Sequence, residues 1–430
     1  MSFFLAFALA VAAAASAGGK ATKCTGQPNV LPVITTAPVL VKNATNGQLF
    51  EIAIGAGAPP LLVAHVWGTA YERGKAQGEL LSAEVRQTLK LLYALVASEI
   101  NHFVKNWPPV LQQLIDDLGI AGIDAALELT ALATAPYSPQ HFLDEVRGLA
   151  DGAGLSYDEL LRVSLVPELI KAACTQVGAW GTATTTGDLV QLRALDWSTA
   201  SGFEAYPLLL VQHPSENGSF AFATLTWPGL SGGIGTNVNE ASLATCEKYW
   251  YSYNGPSSRF GEPWNWVLRD VAQFASTNAE AVARIAKAHR TCSIFAGVGS
   301  RADNAFEIVE YSFDPLVIWN ATSQPNYTPG HPIVTDVVYV DKNIQPSTDP
   351  CLGSLLAELA GQIDADVVLR NITAVHQTGD MHIMITTHGS PLTVHIANAA
   401  PTVNGPAKPA YNMPFVKINM DIEFARKNTN

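Results

Sequence analysis

The spacing of apolar residues changes at Cys174, and this change constrains the fold more than any other feature of the sequence. Before Cys174, apolar residues recur at three- and four-residue steps, which is the period of an amphipathic helix. After it, short β-rich runs are separated by Gly, Pro, Asn and Ser, as in strands joined by turns. Neither a repeat nor a low-complexity linker divides the two parts. We therefore predict one intertwined α+β globule, with a helical part over residues 18–173 and a β-rich part over residues 174–430.

The individual elements follow from the same periodicities. Helices are predicted over residues 72–101, 108–118, 123–132, 142–150, 156–169 and 278–289. Strands are predicted over residues 63–66, 188–195, 208–212, 220–227, 293–298, 305–311, 333–340, 382–386 and 392–396. Ser156, with Glu159 three residues later, is typical of a helix N-cap with a capping box.

Residues 1–17 are typical of a secretory signal peptide. An apolar run ends in Ala15-Ser16-Ala17, which fits the small-x-small pattern of signal-peptidase cleavage. The run is shorter than the roughly 20 apolar residues that a membrane-spanning helix needs. We expect the mature protein to begin near Gly18, to have no integral membrane segment, and to be secreted or lysosomal. Five N-glycosylation sequons agree with secretory passage, at Asn43, Asn217, Asn320, Asn326 and Asn371.

Composition argues against several classes of function. With 48% hydrophobic and 14% charged residues, the chain is too apolar to be disordered. Its net charge of −12 and the lack of a Lys/Arg-rich block argue against nucleic acid as a partner. No CxxC motif or His-rich spacing indicates a metal site, and no cofactor is expected.

The cysteine count predicts a thiol outside any disulfide. The chain has five cysteines, and in an oxidising compartment an odd number leaves one unpaired. One arrangement leaves Cys174 free and forms two disulfides among the other four, Cys24, Cys246, Cys292 and Cys351. The sequence does not fix the connectivity, and another cysteine is an alternative for the odd one.

A free Cys174 is suited to act as an N-terminal nucleophile. If the bond between Ala173 and Cys174 is cut, Cys174 carries a thiol and an α-amine, whose ordinary pKa values are about 8.5 and about 7.7–8.0. The amine can take the thiol proton near neutrality without a histidine. Arg193 is predicted to lower the pKa of the thiol or to hold a substrate carbonyl or carboxylate, and Asp196 to hold the amine.

A hairpin is predicted to bring these residues together. Residues 184–188 resemble a turn in which Gly187 supplies a positive φ. Cys174 then begins one strand, while Arg193 and Asp196 end the next. Pairing centred on Gly187 leaves Asp196 short of Cys174, so either a bulge or a longer loop is expected.

Acyl transfer also needs a hydrogen-bond donor for the oxyanion. Asn239 is the leading candidate, and Asn237 is the alternative. Such a donor contributes roughly 2.7–4 kcal/mol to stabilisation of an acyl-transfer transition state.

These residues resemble a known family. Cys174, with residues 193–197 and 239–243, resembles the Cys-type N-terminal-nucleophile (Ntn) hydrolases of the penicillin acyltransferase (acyl-CoA:6-aminopenicillanic acid acyltransferase) family. Residues 68–78 are similar to the G-x-x-Y-E-x-G-x-x-x-G signature of that family, and residues 145–154 to a second signature. The secreted acid-ceramidase-like branch is the most similar, through residues 246–248, 290–295, 338–342 and 377–382.

The resemblance covers most of the chain, from about residue 63 to residue 415. It implies a four-layer αββα Ntn-hydrolase sandwich, self-cleavage between Ala173 and Cys174 into two associated chains, and attack on a linear amide carbonyl. Two residues depart from the family pattern, namely Ala173 in place of Gly and Asp336 in place of an Asn that binds substrate or oxyanion. Asp336 and Trp197 are the residues predicted to contact the substrate.

Each of these assignments has a plainer structural alternative. Cys174 can be a buried thiol or half of a disulfide. Arg193 and Asp196 can be an ordinary ion pair at strand ends. The glycines of residues 68–78 suit a tight turn and close helix packing, so we expect a structural role for that signature.

Two histidines and two tryptophans in the second part invite functional assignments. For His382 and His388, a core or surface role is favoured over a Ser/His or metal site. For Trp264 and Trp266, a core role is favoured over the lining of an acyl pocket.

Together these features predict a secreted or lysosomal, self-processing cysteine amidohydrolase. The thiolate of Cys174 attacks an N-acyl amide, an acyl-thioester forms, and water releases the acid. Family analogy and apolar composition suggest an N-acyl lipid such as a ceramide or an N-acylethanolamine. The alternatives are acyl transfer to an amine, ester hydrolysis of the phospholipase-B-like kind, and, in a different class, a secreted binding glycoprotein without catalysis.

Overall fold

A computed structural model describes residues 24–55, 57–103, 123–169, 172–199, 201–327, 330–402 and 405–429. The predicted signal peptide at residues 1–17 and the predicted helix at residues 108–118 lie outside the described residues. Of the helices in the described ranges, none has both the length and the apolar character needed to cross a bilayer.

The strands form two sheets. In chain order they are β1 (Val39–Ala44), β2 (Gly47–Ile52), β3 (Leu61–Gly68), β4 (Ala173–Ala179), β5 (Val190–Asp196), β6 (Leu208–Pro214), β7 (Phe222–Thr226), β8 (Asn237–Asn239), β9 (Leu243–Tyr249), β10 (Ile294–Ser300), β11 (Ala305–Tyr311), β12 (Val317–Trp319), β13 (Val337–Val340), β14 (His382–Thr387), β15 (Thr393–Asn398) and β16 (Val416–Asn419). The ten-stranded sheet has the order β1-β2-β3-β6-β7-β8-β9-β10-β11-β12, and the six-stranded sheet the order β13-β4-β5-β14-β15-β16. The ladders between these strands are antiparallel, except that β3 and β6 are parallel.

The helices of the described residues are α1 (Ala70–Phe103), α2 (Ile123–Thr134), α3 (Gln140–Ala153), α4 (Tyr157–Ser164), α5 (Trp264–Phe274), α6 (Asn278–Lys287), α7 (Cys351–Glu358), α8 (the consecutive turns Ala365–Val367, Val368–Thr373 and Ala374–His376) and α9 (Met420–Phe424). The predicted helices at 72–101, 123–132, 142–150 and 278–289 are confirmed. The helix predicted over 156–169 ends earlier, at Ser164, and a 3₁₀ turn follows. Pro167 lies in that turn and has no N–H to continue a helix. Ser156 occupies the N-cap position of α4 but makes no side-chain capping bond.

Helices cover both outer faces of the two stacked sheets. On the ten-stranded sheet, Phe142 of α3 belongs to a core that includes residues of β3 and β6. On the six-stranded sheet, Leu352 of α7 packs in one core with Leu192 of β5. Between the sheets, Phe306 of β11 and Val338 of β13 share a third core. The predicted four-layer αββα architecture is confirmed.

The first part of the chain is less purely helical than the sequence predicts. It contributes β1, β2 and β3 to the ten-stranded sheet, whereas the sequence predicts only a short strand at residues 63–66. β3 pairs with β6 from the second part, with Leu62 opposite Leu208. Residues on both sides of Cys174 therefore build one continuous sheet.

Four glycines allow α1 and α3 to pack with their backbones in contact. They are spaced one turn apart on each helix: Gly74, Gly78, Gly148 and Gly152. A Cβ atom at Gly148 would lie 2.0 Å from the backbone oxygen of Tyr71, and one at Gly74 would lie 2.0 Å from that of Glu145. Any side chain larger than hydrogen would therefore force the helices apart. The structural role expected for the signature at residues 68–78 is confirmed.

A buried charge network joins these helices to the sheet and to α5. Glu145 of α3 accepts hydrogen bonds from Arg269 of α5 and from the Ser231 hydroxyl, the latter at 2.9 Å. Arg73 of α1 donates to Gln212 of β6 at 2.9 Å. Because Glu145 and both arginines are buried, their charges depend on one another and on these polar partners for stabilisation.

All five cysteines lie within the described residues, and they form one disulfide, between Cys24 and Cys351, whose Cα atoms are 5.0 Å apart. The second disulfide of the predicted arrangement is absent, because Cys246 and Cys292 are both free, as is Cys174. The ladder between β9 and β10 explains this, since Cys246 lies opposite Gly297, five positions after Cys292. That offset corresponds to about 17 Å, far beyond the roughly 4.4–6.8 Å that a disulfide allows between Cα atoms.

Replacing Gly148 by Ala is expected to lower the free energy of unfolding by about 1–3 kcal/mol or more, because the added Cβ atom meets the backbone of α1. Urea unfolding followed by far-UV circular dichroism measures this change. Asp144→Ala, on the exposed side of the same helix, is the control and is expected to stay within about 0.5 kcal/mol of the wild type. A Gly148→Ala variant as stable as the control would contradict the close helix contact.

Candidate active site

The β4–β5 hairpin brings Arg193 and Asp196 to the start of the second part of the chain. Asp196 lies opposite Ala173, so Cys174 is next to the end of β5. The connection between the strands spans residues 180–189 and includes a 3₁₀ turn. The predicted tight turn about Gly187 is therefore wrong, and the longer loop is the alternative that occurs.

The thiol of Cys174 is completely buried between charged and carbonyl groups. Its Sγ atom lies 3.6 Å from Arg193 Nη2 and 3.7 Å from Glu247 Oε1. The backbone oxygen of Ala172, just before the predicted cleavage site, lies 3.9 Å from the same sulfur. Cys174 is free rather than bonded in a disulfide.

Arg193 and Glu247 form a buried ion pair beside this thiol. Arg193 Nη2 lies 2.8 Å from Glu247 Oε1, and both side chains are almost wholly excluded from solvent. Burial raises the pKa of Cys174 well above its ordinary value, Glu247 adds to the rise, and Arg193 opposes it. Burial also raises the pKa of Glu247, while Arg193 opposes that rise through its charge and its hydrogen bond. Glu247 Oε1, 3.7 Å from the sulfur, is in position to receive the thiol proton of Cys174.

Asp196 is held in place by the segment that precedes β14. Its Oδ2 atom accepts a hydrogen bond from Thr378 Oγ1 at 2.6 Å, and its Oδ1 atom accepts one from the Gly379 N–H at 2.9 Å. Burial raises the pKa of Asp196, and the charge of Lys342 and these hydrogen bonds oppose the rise. Since Asp196 pairs with Ala173 in the ladder, it is close to the bond at which the α-amine would form.

An apolar pocket adjoins the thiol. Its wall includes Glu247, which contacts Cys174, and Leu195, which lies opposite Cys174 in the β4–β5 ladder. The other lining residues are mostly apolar: Pro167, Ala172, Trp197, Ile234, Tyr249, Trp264 and Ile294. Trp197, a predicted substrate contact, thus lines this pocket. Trp264 and Trp266 are both buried in the core as predicted, and Trp264 also lines this pocket.

The structure does not bring the two predicted oxyanion donors to the thiol. Asn239 Nδ2 donates to the backbone oxygens of Ala272 and Ala275 in the region of α5, at 2.9 and 2.7 Å. Both of its amide hydrogens are therefore committed to the end of that helix. Asn237 Nδ2 donates to Thr245 Oγ1 at 2.9 Å. An oxyanion role for Asn239 would require these bonds to break.

Asp336 also lies away from Cys174. Its neighbour Val337 pairs with Ala179 at the far end of β4, five residues and about 17 Å along the strand from Cys174. The Asp336 carboxylate accepts hydrogen bonds from the N–H and the hydroxyl of Thr182, at 2.8 and 2.6 Å. In this structure Asp336 fixes the loop between β4 and β5, and its contact with substrate stays a prediction.

For two residues of the site, no catalytic role is predicted from the sequence. Glu247, on β9, contacts both the thiol and Arg193. His382, on β14, is buried and lies 2.6 Å from Arg193 Nη1 through its Nε2 atom. The only signal for either residue is its place in the segments 246–248 and 377–382 that carry the family resemblance.

The second histidine named from the sequence has a structural role. His388 is buried, and its Nδ1 atom lies 2.8 Å from the backbone oxygen of Ser242 and 3.1 Å from the Ser242 hydroxyl. The bond to the backbone oxygen uses the Nδ1 proton, so Nδ1 does not act as a base toward the hydroxyl. Within the described ranges, no group of three or more His, Cys, Asp or Glu side chains is arranged to hold a metal ion.

Sequence relatives place the chain among known proteins. Protein dcd1A of Dictyostelium discoideum is 37% identical over 420 residues, an alignment that covers 93% of this chain and 94% of dcd1A. The chain belongs to the dcd1 family. Protein dcd1B of the same organism is 34% identical over 413 residues, which cover 92% of this chain and 81% of dcd1B.

Other comparisons add little to the dcd1 assignment. No family model matches the sequence. Among solved structures, a Caenorhabditis elegans N-acylethanolamine-hydrolyzing acid amidase (NAAA) ortholog aligns with 50% of this chain and 93% of its own, at 16% identity and a TM-score of 0.38. A similarity this low carries no argument, so the architecture of this dcd1 family member rests on its own strand order and packing. The resemblance to the penicillin acyltransferase family stays a prediction.

Replacing Arg193 by Leu is expected to lower the free energy of unfolding by about 3–5 kcal/mol, because Glu247 loses its ion-pair partner while buried. Without Arg193, the pKa of Glu247 rises further. The protonated side chain is then the form that stabilises the fold, and it is lost as pH increases. The deficit is therefore largest near about pH 8 and shrinks toward about pH 5. Urea unfolding at both pH values, in a Cys174→Ala background, measures it.

The matched control is the double variant Arg193→Leu, Glu247→Leu. It is expected to recover most of the lost stability, because both charges are replaced by apolar side chains. A deficit that is equal at the two pH values, or that persists in the double variant, would show that Glu247 is not the partner on which Arg193 depends.

Proposed function

We propose that this dcd1 family member is an N-terminal-cysteine amidohydrolase that cuts its own chain between Ala173 and Cys174. The observation that carries the proposal is the buried thiol of Cys174, in contact with Arg193 and Glu247 beside an apolar pocket. A buried structural thiol would not require a charged pair next to it, because each buried charge adds a cost of desolvation.

The processing step begins with the thiol of the uncut chain. Glu247 takes the proton of Cys174, and the sulfur attacks the carbonyl carbon of Ala173. The peptide C–N bond breaks as its nitrogen is protonated, which leaves a thioester and a free α-amine on Cys174. Water then hydrolyses the thioester, so that Ala173 ends in a carboxylate and Cys174 regains its thiol.

In turnover, the new α-amine takes over as the base. It accepts the thiol proton of Cys174, the thiolate attacks the amide carbonyl of the substrate, and the departing amine takes the proton. Water then releases the acid from the acyl-thioester. Arg193 favours the thiolate through its positive charge, and Asp196, fixed by Thr378 and Gly379, holds the amine.

The pocket supports an apolar acyl group as the part of the substrate that is bound. Its lining is largely aliphatic and aromatic, with the Glu247 carboxylate at the end next to the thiol. The cavity of the uncut chain holds about 20 Å³, room for about one water molecule, so an acyl chain enters it only as its walls move apart. We therefore propose a linear amide of an N-acyl lipid, such as a ceramide or an N-acylethanolamine, as the substrate.

The two chains produced by cleavage are proposed to remain joined. The disulfide between Cys24 and Cys351 links residues on opposite sides of the cut. In addition, β3 from the first chain pairs with β6 of the second chain along its length. We further propose secretory or lysosomal passage, with which the exposed sequon residues Asn43, Asn217 and Asn326 are compatible.

Mass spectrometry of the purified protein tests the processing. The wild type is expected to give two chains after reduction, one of them beginning at Cys174, and a single joined species without reductant. Cys174→Ala is expected to remain uncut and inactive, while the control Cys292→Ala is expected to be cut normally. A wild type that stays uncut at both acidic and neutral pH, or a Cys174→Ala variant that is cut, would overturn the mechanism.

The products separate the hydrolase from its alternatives. With N-acyl lipids as substrates, the processed protein is expected to release free fatty acid at the same rate whether or not a second amine is added. Transfer of the acyl group to the added amine would indicate an acyltransferase, and release of acid only from lysophospholipids would indicate an esterase. Binding without any product would favour a binding glycoprotein.

A further inference from the structure

Arg193 makes two different kinds of contact with its two terminal nitrogen atoms. Nη2 faces Glu247 Oε1 at 2.8 Å, Cys174 Sγ at 3.6 Å and the backbone oxygen of Ile234 at 3.5 Å. Nη1 faces His382 Nε2 at 2.6 Å. Among the described residues, Nε has no hydrogen-bond partner. His382 is therefore the contact that fixes the guanidinium on the side opposite the ion pair.

The backbone and the core hold His382 rigidly in this position. It lies on β14 opposite Leu195, two positions along the ladder from the pair formed by Met384 and Arg193. Its side chain is buried, and its ring packs against Trp227 with 5.4 Å between ring centroids. A ring held by both strand pairing and packing can fix the orientation of its hydrogen-bond partner.

The imidazole acts here as a neutral acceptor. A guanidinium can only donate, so His382 Nε2 must accept, which places the ring proton on Nδ1. Burial, together with the charge of Arg193, lowers the pKa of His382 well below its ordinary value. The contact with the guanidinium and the lowered pKa both favour the neutral ring.

A neutral partner at this position has an electrostatic consequence. Arg193 already shares its charge with Glu247, and a second carboxylate on Nη1 would weaken its attraction for a developing thiolate. An imidazole orients the guanidinium without adding negative charge. The other ionised groups that act on the Cys174 thiol through their charge are Lys248 and Asp196.

We infer that His382 is a positioning residue of this site, which holds Arg193 so that Nη2 faces both the Cys174 sulfur and Glu247. The inference rests on the proposed function in so far as the thiol must ionise. It assigns to His382 a role that the sequence analysis does not, since a core role is favoured there.

Substitutions that keep or remove the acceptor test this inference. Gln places an amide oxygen near the position of the imidazole Nε2, Asn is too short to reach Nη1, and Leu removes the acceptor altogether. His382→Leu and His382→Asn are expected to slow chain cutting and to lower kcat by on the order of tenfold to a hundredfold, with KM changed by less than about threefold. His382→Gln is expected to restore most of this loss.

The thiol pKa of Cys174 provides a readout that packing alone would not change. It can be followed by the ¹³Cβ shift of labelled cysteine in a protein that carries Cys246→Ser and Cys292→Ser. The pKa is expected to rise by about 1 in His382→Leu and His382→Asn, and to stay near the wild-type value in His382→Gln. His395→Leu, at a buried histidine on β15 of the same sheet, is the control and is expected to leave the thiol pKa unchanged.

The results that would overturn the role of His382 differ from those that would overturn the proposed function. Wild-type kcat and thiol pKa in His382→Leu would overturn the positioning role, as would equal losses in His382→Gln and His382→Asn with no change of thiol pKa. If His382→Leu does not fold, the comparison of His382→Gln with His382→Asn tests the positioning role. If the wild type neither cuts itself nor releases acid, the proposed function fails, and the thiol titration still tests the role of His382.

Discussion

The ion pair between Arg193 and Glu247 is the interaction on which the arrangement of this protein depends. Arg193 belongs to β5 of the six-stranded sheet, and Glu247 to β9 of the ten-stranded sheet, so their 2.8 Å contact joins the two central layers. The pair is buried, and each charge is stabilised only while the other stays in place. The thiol of Cys174 contacts both members, so the geometry of the site is set by the same contact that aligns the sheets.

The helix layer supports the site through α5. This helix begins at Trp264, which lines the pocket, and further along it carries Arg269, which binds Glu145 of α3. The close crossing of α1 and α3, made possible by glycines such as Gly148, therefore determines where α5 can lie on the sheet. This chain of contacts gives a physical reason why a glycine-rich signature distant in sequence accompanies the cysteine.

The sequence predicts contacts within a hairpin well and contacts between sheets poorly. Cys174 and Arg193 lie on adjacent antiparallel strands, so their proximity follows from local periodicity once the loop length is allowed to vary. Glu247 reaches the thiol only because two sheets stack, and no pattern along the chain encodes that distance. The contacts of Asn239 could not be predicted for a related reason, since its amide bonds to carbonyls around the end of α5, a helix that the periodicity does not reveal. The single disulfide between Cys24 and Cys351 likewise depends on how distant segments meet.

The parallel ladder between β3 and β6 has a consequence for the order of folding and the proposed cleavage. Strands β1, β2 and β3, from before Cys174, join the strands from after it in one continuous sheet across the β3–β6 ladder, so under the proposed cleavage the sheet is assembled while the polypeptide is still continuous. After the proposed cleavage, the same assembly would become a reaction of two molecules whenever the disulfide is also reduced. The cost of bringing the pieces together then depends on protein concentration, whereas the precursor folds as one molecule. The mature form would therefore be maintained by slow unfolding rather than by ready refolding.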